Sequence, residues 1–142
     1  MIAYIDASVL MRIVLGQPST LPEWDDLELG VSSALLTVEA FRTLDRLWHR
    51  NELTETDLVE KRSRLTTFLP RLDIRPLDER VLERAAQPLP TSLATLDAIH
   101  LATAILYRAS QPDDERPIFF ATHDDQLARA ARALNFDVLG VA

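Results

Sequence analysis

The sequence predicts an α/β sandwich, with a largely parallel sheet and helices on both faces. Two observations carry this. Short apolar runs alternate along the chain with stretches whose apolar residues recur at helical spacing. A length of 142 residues, 47% hydrophobic and 26% charged, suits one ordinary compact domain over 1–142 rather than a disordered chain.

Ile2–Ile5 is a short apolar run ending in Asp6, the pattern of a buried strand feeding a loop. Ser8 suits a helix start, with Val9, Leu10, Ile13 and Val14 as the apolar face. Pro18 to Asp26 is turn-rich, and Leu29–Ser32 reads as a second strand. From Ala34 to Arg50, Val38, Phe41, Leu44, Leu47 and Trp48 keep helical spacing. Thr54 and Asp57 resemble a capping box that opens a helix to Phe68, which Pro70 ends. Asp73–Pro76 is a candidate strand, and Asp78 a cap for a helix over Glu79–Gln87. Thr95 is expected to cap a long apolar helix, Leu96–Ala109, and Gln111–Pro117 to form a polar connection. Ile118–Ala121 then reads as a strand, Asp124–Leu134 as a helix and Phe136–Val141 as a last strand.

Composition narrows the chemistry. There is no cysteine, so neither disulfides nor thiolate metal sites are available. The N-terminus lacks a basic n-region and Asp6 interrupts its apolar run, unlike a signal peptide. No apolar stretch approaches the roughly 18 residues needed to span a bilayer. A soluble, cytoplasmic protein is the expectation. The net charge of −7 argues mildly against a protein that coats nucleic acid by charge alone. It leaves room for a nuclease whose carboxylates are neutralised by bound metal.

Four acids stand next to core residues at element ends: Asp6, Glu39, Asp97 and Asp124. Asp6 and Asp124 follow strands, and functional groups gather at the carboxyl ends of parallel strands. Taken singly, each has an ordinary structural use. Asp6 and Asp124 can cap the helices that follow them, and Asp97 can answer a helix dipole. Glu39 can be a solvated residue paired with Arg42 or Thr43. Those uses weaken when the four are taken together. Two like charges about 4 Å apart repel by roughly 4 kcal/mol at an effective dielectric near 20, so such a cluster calls for a cation. All-oxygen ligands suit Mg²⁺ or Mn²⁺, which activate water and stabilise charge on a phosphate. Zinc suits the sequence less, because no His/Cys ligand spacing is present.

Four strings carry a resemblance. Tyr4-Ile5-Asp6-Ala7-Ser8-Val9-Leu10, Thr37-Val38-Glu39-Ala40-Phe41-Arg42, the run from Leu96 to Ala104, and Ala121-Thr122-His123-Asp124-Asp125-Gln126-Leu127 resemble the PIN-domain ribonucleases, and more narrowly the VapC toxins of toxin–antitoxin pairs. The likeness runs from Tyr4 to about Leu139, with its motifs in family order. It implies a three-layer α/β/α fold and a Mg²⁺- or Mn²⁺-dependent endoribonuclease. It assigns Asp6, Glu39 and Asp97 as the principal metal-site acids and catalytic residues, Asp124 as the fourth, and Ser8 and Thr122 as supporting hydroxyls. It also implies a homodimer, an RNA substrate, and a VapB-like antitoxin whose C-terminal segment blocks the acidic cleft. Asp125 departs from the pattern, standing where a basic or polar residue is commoner.

Arg46 and Arg50 lie within roughly 20° of Glu39 on its helix, with Arg42 and His49 flanking that line. Such a stripe can hold RNA phosphates, or can be a solvated face with local ion pairs. His100, one turn from Asp97, can orient that carboxylate or be a satisfied core histidine. His49 and His123 read as surface residues, and Trp24 and Trp48 as core or interface packing. Two rivals remain: a non-catalytic PIN-like domain that binds metal, RNA or a protein, and a phosphotransfer receiver. The receiver lacks its Asp-x-Asp pair and late-strand lysine, since Lys61, the single lysine, falls in an expected helix.

Overall fold

A computed structural model describes residues 1–112 and 116–141. The expected polar connection Gln111–Pro117 therefore lies partly outside the described residues. Among the described residues, five strands and six helices follow in the order β1 (Ile2–Ile5), α1 (Ala7–Val14), β2 (Leu29–Ser33), α2 (Ala34–His49), α3 (Glu55–Phe68), β3 (Asp73–Arg75), α4 (Glu79–Ala86), α5 (Thr95–Ser110), β4 (Ile118–Ala121), α6 (Asp125–Ala133) and β5 (Asp137–Leu139). Short 3-10 turns cover Pro22–Asp26 and Leu69–Arg71.

All strand pairs are parallel and the sheet order is β3-β2-β1-β4-β5. The pleat sends Ala3 and Ile5 to one side of β1, where they pack with Val9, Leu10, Leu36, Leu44 and Leu65 of α1, α2 and α3. Tyr4 points the other way, among Leu101 and Tyr107 of α5, Leu127 of α6 and Phe120 of β4. A strand buried on both faces reads as an unbroken apolar run, as Ile2–Ile5 does. The three-layer α/β/α sandwich follows.

The layers also obey handedness. From β1 the chain steps to β2 and β3 with α1, α2 and α3 over one face. It then returns past α4 and α5 on the opposite face, to place β4 against the free side of β1. Reversing the direction of travel while keeping right-handed crossovers moves the helices to the other face. The reversal lies between β1 and β4, and in open α/β sheets the crevice at such a point is where ligands bind.

Helix starts follow local chemistry. Asp6, Ser33, Asp78 and Asp124 accept from first-turn N–H groups, and Thr54 with Asp57 closes a capping box. Two expectations need correction. Helix α1 opens at Ala7 behind Asp6, so Ser8 lies within its first turn. Thr95 is the first helical residue of α5 and Ala94 the cap, because the extended backbone ends at Ala94 (φ −64°, ψ 159°). Trp24 meets Phe68 edge-on in the core, whereas Trp48 is exposed at the end of α2. Among the described residues, no helix is long and apolar enough to cross a membrane.

The sheet's last turn depends on Gly140. Its φ is +96°, and a Cβ there would lie 2.5 Å from the Thr122 carbonyl oxygen. Backbone cannot swing aside as a side chain can. Gly140→Ala is expected to cost about 2 kcal/mol, lowering Tm by several degrees in a thermal melt; an unchanged Tm would contradict the close packing.

Candidate active site

The carboxyl ends of β1 and β4 lie side by side, with Ile5 opposite Ala121 and the Asp6 N–H donating to the Ala121 carbonyl at 3.2 Å. Asp6 is 4% exposed. Its Oδ1 accepts from the Ser8 hydroxyl at 2.6 Å and from the Val9 N–H at 3.1 Å, and its Oδ2 accepts from the Thr122 hydroxyl. Each hydroxyl also accepts from the segment after β4: Ser8 from the His123 N–H at 2.9 Å, Thr122 from the Asp124 N–H at 3.0 Å. The two side chains therefore stitch the strand ends together through one carboxylate. Burial pushes the Asp6 carboxyl above its ordinary value, and the three donors partly oppose that.

Asp97 sits in the first turn of α5 and is half-buried. Burial raises its carboxyl most; the charges of Asp124, Asp6 and Glu39 raise it further, and His100 opposes them. Four carboxylates far apart in sequence thus share one electrostatic neighbourhood. Asp124 is exposed, and caps α6 by accepting from the Leu127 N–H at 2.8 Å. The capping uses open to Asp6 and Asp124 are real, and they aim the N-termini of α1 and α6 at this end of the sheet. Asp97 adds the N-terminus of α5. Helix N-termini carry partial positive charge, which helps to hold acids there.

Glu39 comes from α2, and its Oε1 meets Nε2 of His100 in a short contact. His100 is buried, and its Nδ1 lies 2.7 Å from the Tyr4 hydroxyl. Burial drives the Tyr4 phenol well above its usual range, so it stays protonated. His100 therefore touches Glu39 rather than Asp97, and sequence spacing gave no hint of a pair 61 residues apart. The partners weighed for Glu39 hold differently: Thr43 bonds its backbone carbonyl at 2.8 Å, and Arg42 pairs with Asp45 at 2.9 Å.

His123 also departs from expectation. It is half-buried, with Nδ1 2.7 Å from the Gly140 carbonyl oxygen, and its Nε2 is buried without a partner among the described residues. It anchors the segment after β4 to the end of β5. Arg42 and Arg46 are exposed along α2 and Arg50 just past its end; Arg46 reaches Thr43 at 3.3 Å. Asp125 is exposed in the first turn of α6.

Residues 3–133 match the family described as the PIN domain. This chain belongs to the PIN-domain family. Within it the VapC likeness holds. Ribonuclease VapC46 of Mycobacterium tuberculosis is 34% identical over 143 residues, spanning 96% of this chain and 95% of that protein. Ribonuclease VapC47 of the same species is 31% identical over 140 residues, spanning 94% of this chain and 92% of the relative. Two solved structures share the PIN fold. FitAcB from Neisseria gonorrhoeae superposes with a TM-score of 0.70 at 23% identity, over 97% of this chain and 96% of that one. VapBC2 from Rickettsia felis, bound to a DNA fragment from its promoter, gives 0.67 at 14% identity, over 97% of each chain.

A divalent cation is the group this PIN site brings into question. Among the described residues, no three acidic or histidine side chains stand close enough to hold one ion as they are placed. Asp6 has both oxygens engaged, and Glu39 has one engaged by His100. The donor chemistry still fits. Three carboxylates that add to the raised proton affinity of Asp97 mark a place short of positive charge. Mg²⁺ commonly takes only one or two carboxylates directly, leaving other positions to water and substrate phosphate.

The strain on Asp97 is measurable without any ligand. The folded chain holds that proton more tightly than the unfolded chain does. The charged carboxylate therefore weakens the fold at neutral pH, and relief comes as pH falls through the raised value toward the ordinary 3.8. Asp97→Asn should raise Tm at pH 7 by roughly 1–2 °C, since the α5 dipole offsets part of the penalty. That gain should vanish near pH 4 in a series of thermal melts. A loss of stability at pH 7 would contradict the crowding.

Proposed function

We propose that this chain is a Mg²⁺- or Mn²⁺-dependent endoribonuclease of the VapC type, cutting RNA phosphodiesters and restrained by a cognate VapB-like antitoxin. The observation that carries this reading is the convergence of Asp97, half-buried in the first turn of α5, with Asp124, Asp6 and Glu39 at one end of the sheet; burial raises its carboxyl most, and those three charges raise it further. Support comes from the curated relatives, which are named ribonucleases and align over nearly the whole chain. The FitAcB and VapBC2 likenesses, and a toxin–antitoxin complex from Klebsiella pneumoniae with a TM-score of 0.62, 18% identity and coverage of 100% of this chain and 96% of that one, share the fold.

Asp6, Glu39, Asp97 and Asp124 would hold the cation. Bound there, it supplies a water acidified toward neutral pH and charge stabilisation on the phosphate. The chain's own part is placement. Ser8, Thr122 and the Val9 N–H fix Asp6 in one rotamer, so little reorganisation remains at the moment of reaction. Arg42, Arg46 and Arg50 lead away from Glu39 along the exposed side of α2, and hold backbone phosphates. The exposed Arg42–Asp45 pair is worth at most about 1 kcal/mol and yields to a phosphate. Two copies pair as a homodimer, and the antitoxin's C-terminal segment occupies the acidic cleft. Both assignments rest on the family likeness, as does a cytoplasmic location.

The test is cleavage of total cellular RNA by the purified chain. Cutting is expected with Mn²⁺ or Mg²⁺ and should stop when a chelator is added. Asp6→Asn and Asp97→Asn should each lower the rate at least about 100-fold while the chain still melts cooperatively. Mn²⁺ at ten times its Kd should stabilise the fold by about 1.4 kcal/mol, a Tm rise of a few degrees. RNA that binds yet stays intact with either ion would instead assign a non-catalytic binding domain.

A further inference from the structure

The ring of His100 bridges the sheet and α2. On one side Tyr4, in the middle of β1, brings its hydroxyl to Nδ1 at 2.7 Å; on the other, Nε2 meets Oε1 of Glu39. Tyr4 is 0% and His100 1% exposed, so water replaces neither contact. The rings are held from the side as well. Tyr4 stacks on Phe120 with centroids 5.2 Å apart and meets the imidazole edge-on at 5.9 Å.

Donor and acceptor rules decide the proton. A carboxylate oxygen accepts, so the hydrogen in the contact with Glu39 belongs to Nε2. The Tyr4 hydroxyl holds the ring from the other side at Nδ1. Oε1 of Glu39 is committed to Nε2, while Oε2 takes no hydrogen bond among the described residues, and the side chain is 18% exposed.

We propose that Tyr4 and His100 are positioning residues: Tyr4 holds the His100 ring in place, and His100 pins one Glu39 oxygen so that the other is free for a cation. Glutamate is among the side chains with most rotamer freedom to lose, and fixing it beforehand removes that loss from the binding step. This rests on the metal-dependent reading above and assigns that site a part reaching into the core.

The experiment uses the full chain, Mn²⁺ as the probe, and the variants Tyr4→Phe, His100→Gln and His100→Ala. Tyr4→Phe keeps the stacking volume and removes only the hydroxyl. It should weaken Mn²⁺ binding, read by calorimetry, by roughly 3- to 10-fold, less than the 10- to 100-fold usual for a group touching a ligand. His100→Gln, whose amide N–H can still donate to Glu39, should keep more affinity than His100→Ala. Equal affinity of His100→Gln and His100→Ala overturns the proposal. So does a Tyr4→Phe affinity within twofold of wild type. If Tyr4→Phe fails to fold, the order of Gln over Ala decides. Wild type that fails to bind Mn²⁺ at millimolar concentration overturns the metal reading itself, whereas binding indifferent to Tyr4→Phe removes only the positioning role.

Discussion

A carboxylate buried at the end of the central strand governs how this end of the molecule is built. Asp6 is nearly out of water, and an acid there is costly unless donors surround it. Ser8, Val9 and Thr122 supply them, and the Thr122 hydroxyl reaches Asp6 only because β4 lies against β1. The sheet order is thus part of the site. Moving β4 to any other position would leave Asp6 without Thr122, and His123 without the Ser8 hydroxyl its N–H meets.

The same constraint explains why capping and chemistry coincide. Asp6 caps α1, Asp124 caps α6 and Asp97 lies in the first turn of α5. Each taken alone satisfies a helix end. Together they bring three helix N-termini and several negative charges to one place, which helix dipoles ease but do not neutralise. Asp97, lacking the donors that Asp6 enjoys, is where the remaining crowding is felt.

Much of this was legible in the sequence, because the signals are local. Apolar runs mark β1 and β4, helical spacing marks α2 and α5, and the acids follow strands or open helices, so their positions could be read one element at a time. What escaped depends on contacts across the fold. Glu39 and His100 belong to different helices on opposite faces of the sheet, and Tyr4 reads simply as a core residue. Nothing in their spacing pairs them. His123 looked like a surface residue because its partner, the carbonyl of Gly140, is a backbone group that no side-chain pattern announces. Thr95 failed as a cap for a subtler reason: the backbone turns helical one residue earlier than the preference of its hydroxyl implies.

The proposed function requires one thing of the geometry, that a divalent ion make the acids at the ends of β1 and β4 compatible. Crystals grown with Mn²⁺ and measured at its absorption edge address it most directly. The account predicts an anomalous peak among Asp6, Glu39, Asp97 and Asp124, and its disappearance in Asp97→Asn crystals. Saturating Mn²⁺ with no peak there, or a peak held by other residues, would contradict it.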